Sequence, residues 1–271
     1  MVPRLCRPLV SSFYFGGKNM EENFDTFNDF VMQYDMSEDM IVYKFNHTYR
    51  TVHQAEEIAR SLNLTEEDRE LAVIIALLHD IARFRQWTEY KTFTDAKSFD
   101  HGDEGVKILF EEGEIEKYNI DKKYYDIIKT AVRLHNKLDI NEEELSAKEL
   151  LHTKIIRDAD KIDIIYSFST QRLLEIKSDD SKLSENVINS FNNHKAVNKL
   201  DINNINDKII SILALTYDLN FKYSLKRIYE EEYFNKMIES YHNIEVFKPY
   251  VEEVHKFIKG EIEDVREEIQ S

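Results

Sequence analysis

The sequence predicts an all-α protein, and its punctuation carries that prediction. The three prolines are Pro3, Pro8 and Pro249, so nothing between Leu9 and Lys248 bears the main helix breaker. Only six glycines occur. A sandwich or barrel needs a turn signal roughly every 8–12 residues, and this chain does not supply them. With 42% hydrophobic and 32% charged residues, 16 Phe and 15 Tyr, the composition is globular rather than disordered.

Helical periodicity starts after Met20. Residues 22–35 set Phe24, Phe27, Phe30 and Val31 on one face, and residues 47–62 do the same with Val52, Ala55, Ile58, Ala59 and Leu62. Thr65, with Asp68 three residues on, reads as the N-cap of a helix running to about Phe84. From Leu71 to Ala82 every residue of that helix is apolar except His79 and Asp80. A helix apolar all round lies in the middle of a domain. A histidine and a carboxylate there are costly unless paired or metal-bound.

A loop of about fifteen residues, 86–100, leads to a helix capped by Asp100 and starting near His101. Another helix is expected over 122–135, ending at His135, and an acidic stretch over 139–149 reads as a solvated surface. Residues 150–168 are again apolar around an ionisable cluster. Amphipathic helices follow at about 184–191, 203–217, 220–241 and 244–269. Their aromatics read as core, packed against the front half.

The first nineteen residues stand apart, with Arg4, Arg7 and Lys18 and no acid, and are read as an extension outside the fold. No linker composition interrupts the remainder. The expected organisation is therefore a main helical domain over 20–180 and a helical C-terminal extension over 181–271.

Net charge is −16. Such a field disfavours nucleic-acid polymers and anionic membrane surfaces, while leaving room for a small anion in a local basic pocket. A single cysteine, Cys6, excludes an intrachain disulfide and suits a reducing, cytoplasmic compartment. No apolar run approaches the roughly 20 residues that span a bilayer.

The chemistry-bearing residues are His47, His79, Asp80, His101, His135 and Asp160, which fall at expected helix ends or inside apolar helices. A hydrolytic metal site needs three or four such ligands with a position left for water. The order His47, His79-Asp80, Asp160, set in HTYRTV, LLHDIARF and DADKID, resembles the H…HD…D signature of the HD superfamily of metal-dependent phosphohydrolases. The resemblance covers about residues 45–165. It favours His47 over His53 as the first ligand, because the R-x-V that follows His47 stands at the family's offset.

What this resemblance implies is a helical HD-domain bundle whose ligands hold a divalent metal. His101 and His135 fall where binuclear members of the family place two further histidines. The implied ligation is then His47, His79 and Asp160 on one ion, His101 and His135 on a second, and Asp80 bridging them. Imidazole-plus-carboxylate sites accept Fe, Mn, Co, Ni or Zn, and Mg is compatible.

Spacing adds substrate candidates. Arg83 lies four residues after His79 and three after Asp80, on the face presenting the ligands, and its guanidinium suits a phosphate oxygen. Gln86 continues that face, while Asn136, Lys137 and Lys161 adjoin ligand positions and offer donors or charge to phosphate. Asp80, Arg83 and Lys161 are the catalytic candidates, whereas Asp158 reads as facing away. Trp87, Tyr90 and Lys91 are placed to cover a base or sugar.

The leading expectation is an enzyme: a metal-dependent phosphohydrolase of a nucleotide or similar small phosphorylated metabolite, using a metal-activated water. The competing classes are a mixed-valent di-iron oxygenase of the same family and a non-catalytic nucleotide sensor. The sequence leaves the oligomeric state open, with a homodimer as the assembly considered.

Overall fold

The computed structural model describes residues 17–170, 180–239, 241 and 244–263. The fold is all-α: α-helices joined by short 3-10 turns, with no strand among the described residues. Among the described residues, no helix is long and apolar enough to cross a membrane. The chain divides into two compact units, Met1–Ala159 and Asp160–Ser271. The dividing point lies inside a continuous helix, where composition places no linker.

The first unit is built on α1 (Gly17–Val31), α2 (Asp39–Ser61) and α3 (Glu66–Leu78). The first of these begins three residues before Met20. Thr65 caps α3 as its sequence predicts: its hydroxyl accepts from the Asp68 amide at 3.2 Å. Leu71 to Leu78 are all buried, because α1, α2 and α6 (Tyr125–Leu134) pack around α3. Each large apolar side chain so buried contributes about 1.5–3 kcal/mol.

The expected single helix to Phe84 breaks at residues 79–81. His79 Nδ1 donates to the Ala76 carbonyl at 2.7 Å, which is the carbonyl that the Asp80 amide would use in an unbroken helix. Three-residue bonds, Ile81 N to Leu78 O and Arg83 N to Asp80 O, carry the chain through the turn. It then re-enters a helix as α4 (Ala82–Tyr90), so the loop that follows is shorter than expected.

Next come α5 (His101–Val106), continued by a wider turn over Lys107–Glu111, and α6. The Asp100 carboxylate caps α5 by accepting from the Gly102 and Asp103 amides. The run Glu142–Glu144 is exposed, as its charge predicts. The helix α7 (Ala147–Thr170) carries the chain into the second unit.

The second unit contains α8 (Glu185–Asn192), α9 (Ile205–Ala214), α10 (Lys222–Glu230), α11 (Tyr233–Ile238) and α12 (Ile244–Glu263). The expected helix over 220–241 is two, because Glu232 adopts a left-handed φ of 53° between them. Pro249 sits inside α12, against the rule that reads proline as a stop. Phe191, Phe234, Phe247, Leu213 and Ile258 form its core.

Candidate metal centre

Four histidines from separate segments of the first unit surround one carboxylate. His47 is on α2, His79 just past the end of α3, His101 at the first position of α5 and His135 just past the end of α6. All are buried, at 0 to 4% exposure, and so is Asp80 at 3%. The two carboxylate oxygens divide the histidines between them. Oδ2 of Asp80 lies 3.3 Å from His47 Nε2 and 3.6 Å from His79 Nε2. Oδ1 lies 3.6 Å from both His101 Nε2 and His135 Nε2. Two groups of donor atoms result, His47–His79–Asp80 and Asp80–His101–His135, each within 4.8 Å.

The rings are aimed by what holds their other nitrogens. His135 Nδ1 donates to the Val132 carbonyl at 2.7 Å, repeating the arrangement at His79 and Ala76. His101 Nδ1 donates to Asp95 Oδ2 at 2.7 Å. A histidine whose Nδ1–H is engaged presents an Nε2 lone pair, which is how metal-binding imidazoles are oriented.

The Nε2 atoms of His101 and His135 then face each other at 3.0 Å. Two lone pairs at that separation repel unless a cation lies against them, and Arg83 Nη2 reaches only the His101 nitrogen, at 3.1 Å. Burial, then the charge of Arg83, push the pKa of His101 down to about 3, so a proton does not serve at neutral pH. The donor set therefore fits a metal ion. The carbonyl ends of α3 and α6 both abut the centre, and a helix C-terminus favours positive charge.

The carboxylate is ionised. Burial alone works to raise the pKa of Asp80, but the Lys44 ammonium, 2.6 Å from Oδ2, outweighs it and holds it well below the usual range. Asp95 behaves likewise: burial is overcome by His101, Arg83 and Gln86.

The substrate candidates lie in varied settings. Arg83 is 8% exposed and spans the site, with Nε 3.4 Å from Asp80 Oδ1 and Nη1 on Gln86 Oε1, the Phe93 carbonyl and Asp95. Gln86 is fully buried and fastens the loop, its amide donating to Asp95, Ser98 and the Phe99 carbonyl. Asn136 donates to Asp100 and Asp95. Lys137 pairs with Asp100 at 2.8 Å and Asp103 at 2.9 Å. Trp87 and Lys91 both reach Glu38, and the Tyr90 ring packs edge-on against Phe99.

Asp158 is fully buried on α7. Asp160 and Lys161 belong to the second unit, where the Lys161 ammonium pairs with Asp218 at 2.9 Å. Among the described residues the converging donor groups take in His47 and not His53. Sequence reasoning missed two participants. Lys44, three residues before His47 on the same helix face, lies 2.6 Å from Asp80 Oδ2, and its spacing was a usable signal. Asp95 is a loop residue with no such signal.

Residues 45–165 match the family model of the HD domain. This part of the chain is an HD domain. The match spans the stretch that runs from just before His47 to just past Asp160, and so takes in every ligand candidate. HD domains belong to a superfamily of metal-dependent phosphohydrolases, and the histidines and aspartates gathered around Asp80 are consistent with such a metal site. No curated protein and no solved structure matches the chain.

Proposed function

We propose that this HD protein is a metal-dependent phosphohydrolase that cleaves a phosphomonoester or phosphoanhydride of a nucleotide or similar small phosphorylated metabolite. One observation carries the reading: the two oxygens of Asp80 each face a different histidine pair. A carboxylate so placed would serve two ions, and a pair of ions would supply charge stabilisation for phosphoryl transfer. His47, His79 and Asp80 would hold one ion and Asp80, His101 and His135 the other. Asp160, inside the family match, is assigned to the first.

The bound metal supplies an activated water and a Lewis acid. The chain's own residues do the rest. Asp95 and the carbonyls of Ala76 and Val132 keep three imidazoles in the Nε2-presenting tautomer. The near-complete burial of the histidines keeps bulk water away, which strengthens electrostatic interactions inside. Arg83 stands beside Asp80 with two donor edges and is placed to neutralise charge on a phosphoryl oxygen.

The test is phosphate or pyrophosphate release from a panel of nucleotides and sugar phosphates, with Mn²⁺, Fe²⁺, Co²⁺ or Mg²⁺ added. Turnover that requires metal and disappears in Asp80→Ala is expected. Oxygen uptake by the iron-loaded protein without phosphate release would replace this reading with an oxygenase, and ligand binding without product over hours would replace it with a sensor.

A further inference from the structure

Two cations approach the centre from the side that solvent reaches. The side chains of His47, His79 and His135 are 0% exposed and those of Asp80 and His101 3%, whereas Lys44 retains 11% and Arg83 10%. Of the charged and ligating groups at the centre, the ammonium and the guanidinium keep the most contact with solvent. The two are matched across Asp80, with Lys44 Nζ 2.6 Å from Oδ2 and Arg83 Nε 3.4 Å from Oδ1. Both also face the ring of Phe93, at 5.3 Å and 5.7 Å from its centroid.

Their mobility differs. Arg83 is pinned by Gln86, the Phe93 carbonyl and Asp95, so its fork has a fixed direction. Lys44 is a point charge on a four-carbon stem, and among the described residues Asp80 is the one carboxylate within ion-pair distance of it. Charge balance points to their use. Lys44 and Arg83 against Asp80 and Asp95 sum to zero, so each divalent ion added leaves this part of the site positive by its own charge. An anion restores the balance, and the two cations at the opening are the groups able to hold it.

On the reading of this centre as a phosphohydrolase, we propose that Lys44 and Arg83 together grip the non-bridging oxygens of the substrate's phosphoryl group, Arg83 as the fixed arm and Lys44 as the movable one. Lys44 leaves Asp80 when that carboxylate is shared with metal, and the substrate oxygen takes its place beside the ammonium. Phe93 keeps both cations turned toward the opening. Lys44 is then a substrate-binding residue and not merely the counter-ion of Asp80.

The experiment uses the full chain loaded with Mn²⁺ and inorganic phosphate as probe. Phosphate affinity is measured by calorimetry and by ³¹P line broadening, alongside metal content by elemental analysis, for wild type, Lys44→Met and Lys44→Arg. The expected result is an unchanged metal content in both variants, with phosphate bound about tenfold or more weakly by Lys44→Met, since a charge-assisted hydrogen bond is lost. Lys44→Arg keeps the charge and should stay within a few-fold of wild type, which also guards against a misfolded Lys44→Met. Phosphate affinity unchanged in Lys44→Met overturns the proposal. So does a weakening that tracks loss of metal, because Lys44 would then serve Asp80 alone. Wild-type protein that binds metal and no phosphate would instead overturn the phosphohydrolase reading beneath it.

Discussion

Gly102 lets α5 and α6 approach closely enough to bring His101 and His135 together, and replacing it with alanine should cost one metal ion. A Cβ built there meets Asn136 Oδ1 at 2.7 Å, the Arg133 carbonyl at 2.8 Å and the Val132 carbonyl at 3.1 Å. The Asn136 amide can rotate, but the two carbonyls are backbone of α6. Against the 3.4 Å at which ordinary contact begins, the shortfall at Arg133 is about 0.6 Å. That movement is taken up between His101, the residue before Gly102, and His135, whose Nδ1 is fastened to the same Val132 carbonyl. Metal–ligand distances tolerate roughly ±0.2 Å. Overpacking of this kind costs about 1–3 kcal/mol, which lowers Tm by several degrees in a unit of this size without unfolding it. Elemental analysis and calorimetric titration with Mn²⁺ should therefore find Gly102→Ala folded but short of the ion held by His101 and His135. A variant that binds metal with wild-type stoichiometry and affinity would refute the argument that this helix approach sets the site.

Three further outcomes follow from the surroundings of the centre. Asp95→Asn removes the carboxylate that orients His101 and should weaken one metal site about 10–100-fold in calorimetric titration, with the fold intact by circular dichroism. Gln86→Ala leaves the donors and acceptors of Arg83, Asp95, Ser98 and Phe99 short of a buried partner. It should cost about 1–3 kcal/mol in urea unfolding and expose the 91–100 loop to protease. In chelator-treated protein, His101 has a folded pKa of about 3, below its unfolded value near 6.5. The unfolded chain therefore binds the proton first as pH falls, so stability is full above about 6.5 and is lost toward about 3, at up to about 1.4 kcal/mol per pH unit. Urea midpoints of wild type and His101→Gln at pH 7.5 and 5.5 check this, and an equal pH dependence in the two proteins would contradict it.

The helical architecture was legible because it depends on local signals that the chain states plainly: the placing of its prolines, the Thr65 and Asp100 caps, and the all-round apolar run of Leu71 to Leu78. The breaks were not legible. Glu232 turns left-handed without a glycine to announce it, and His79 ends α3 through a bond of its own side chain. The centre divides along the same line. His47, His79 and Asp80 are suggested by their order and apolar surroundings, and His101 and His135 by the resemblance to binuclear members of the family, yet Asp95 enters through the path of a loop, which no periodicity encodes. Lys44 did have a signal in its i, i+3 relation to His47. It was obscured because a lysine on a half-exposed helix is ordinarily solvated.

The break after Leu78 shows how the fold and the site are one construction. In an unbroken helix His79 and Asp80 would point about 100° apart, and only an ion lying against that helix would be reached by both. Instead the His79 side chain takes the Ala76 carbonyl and ends the helix on itself, and His135 does the same with Val132. Leu-His-Asp at 78–80 and Leu-His-Asn at 134–136 are thus the same device used twice. Each imidazole stops a helix, fixes its own tautomer through that bond, and presents Nε2 at a helix end whose dipole favours a cation. Replacing either histidine by glutamine would therefore remove a helix terminus and a ligand together. The Asp95→Asn change separates the two, because His101 opens a helix that Asp100 caps, while Asp95 holds its ring and not the helix terminus.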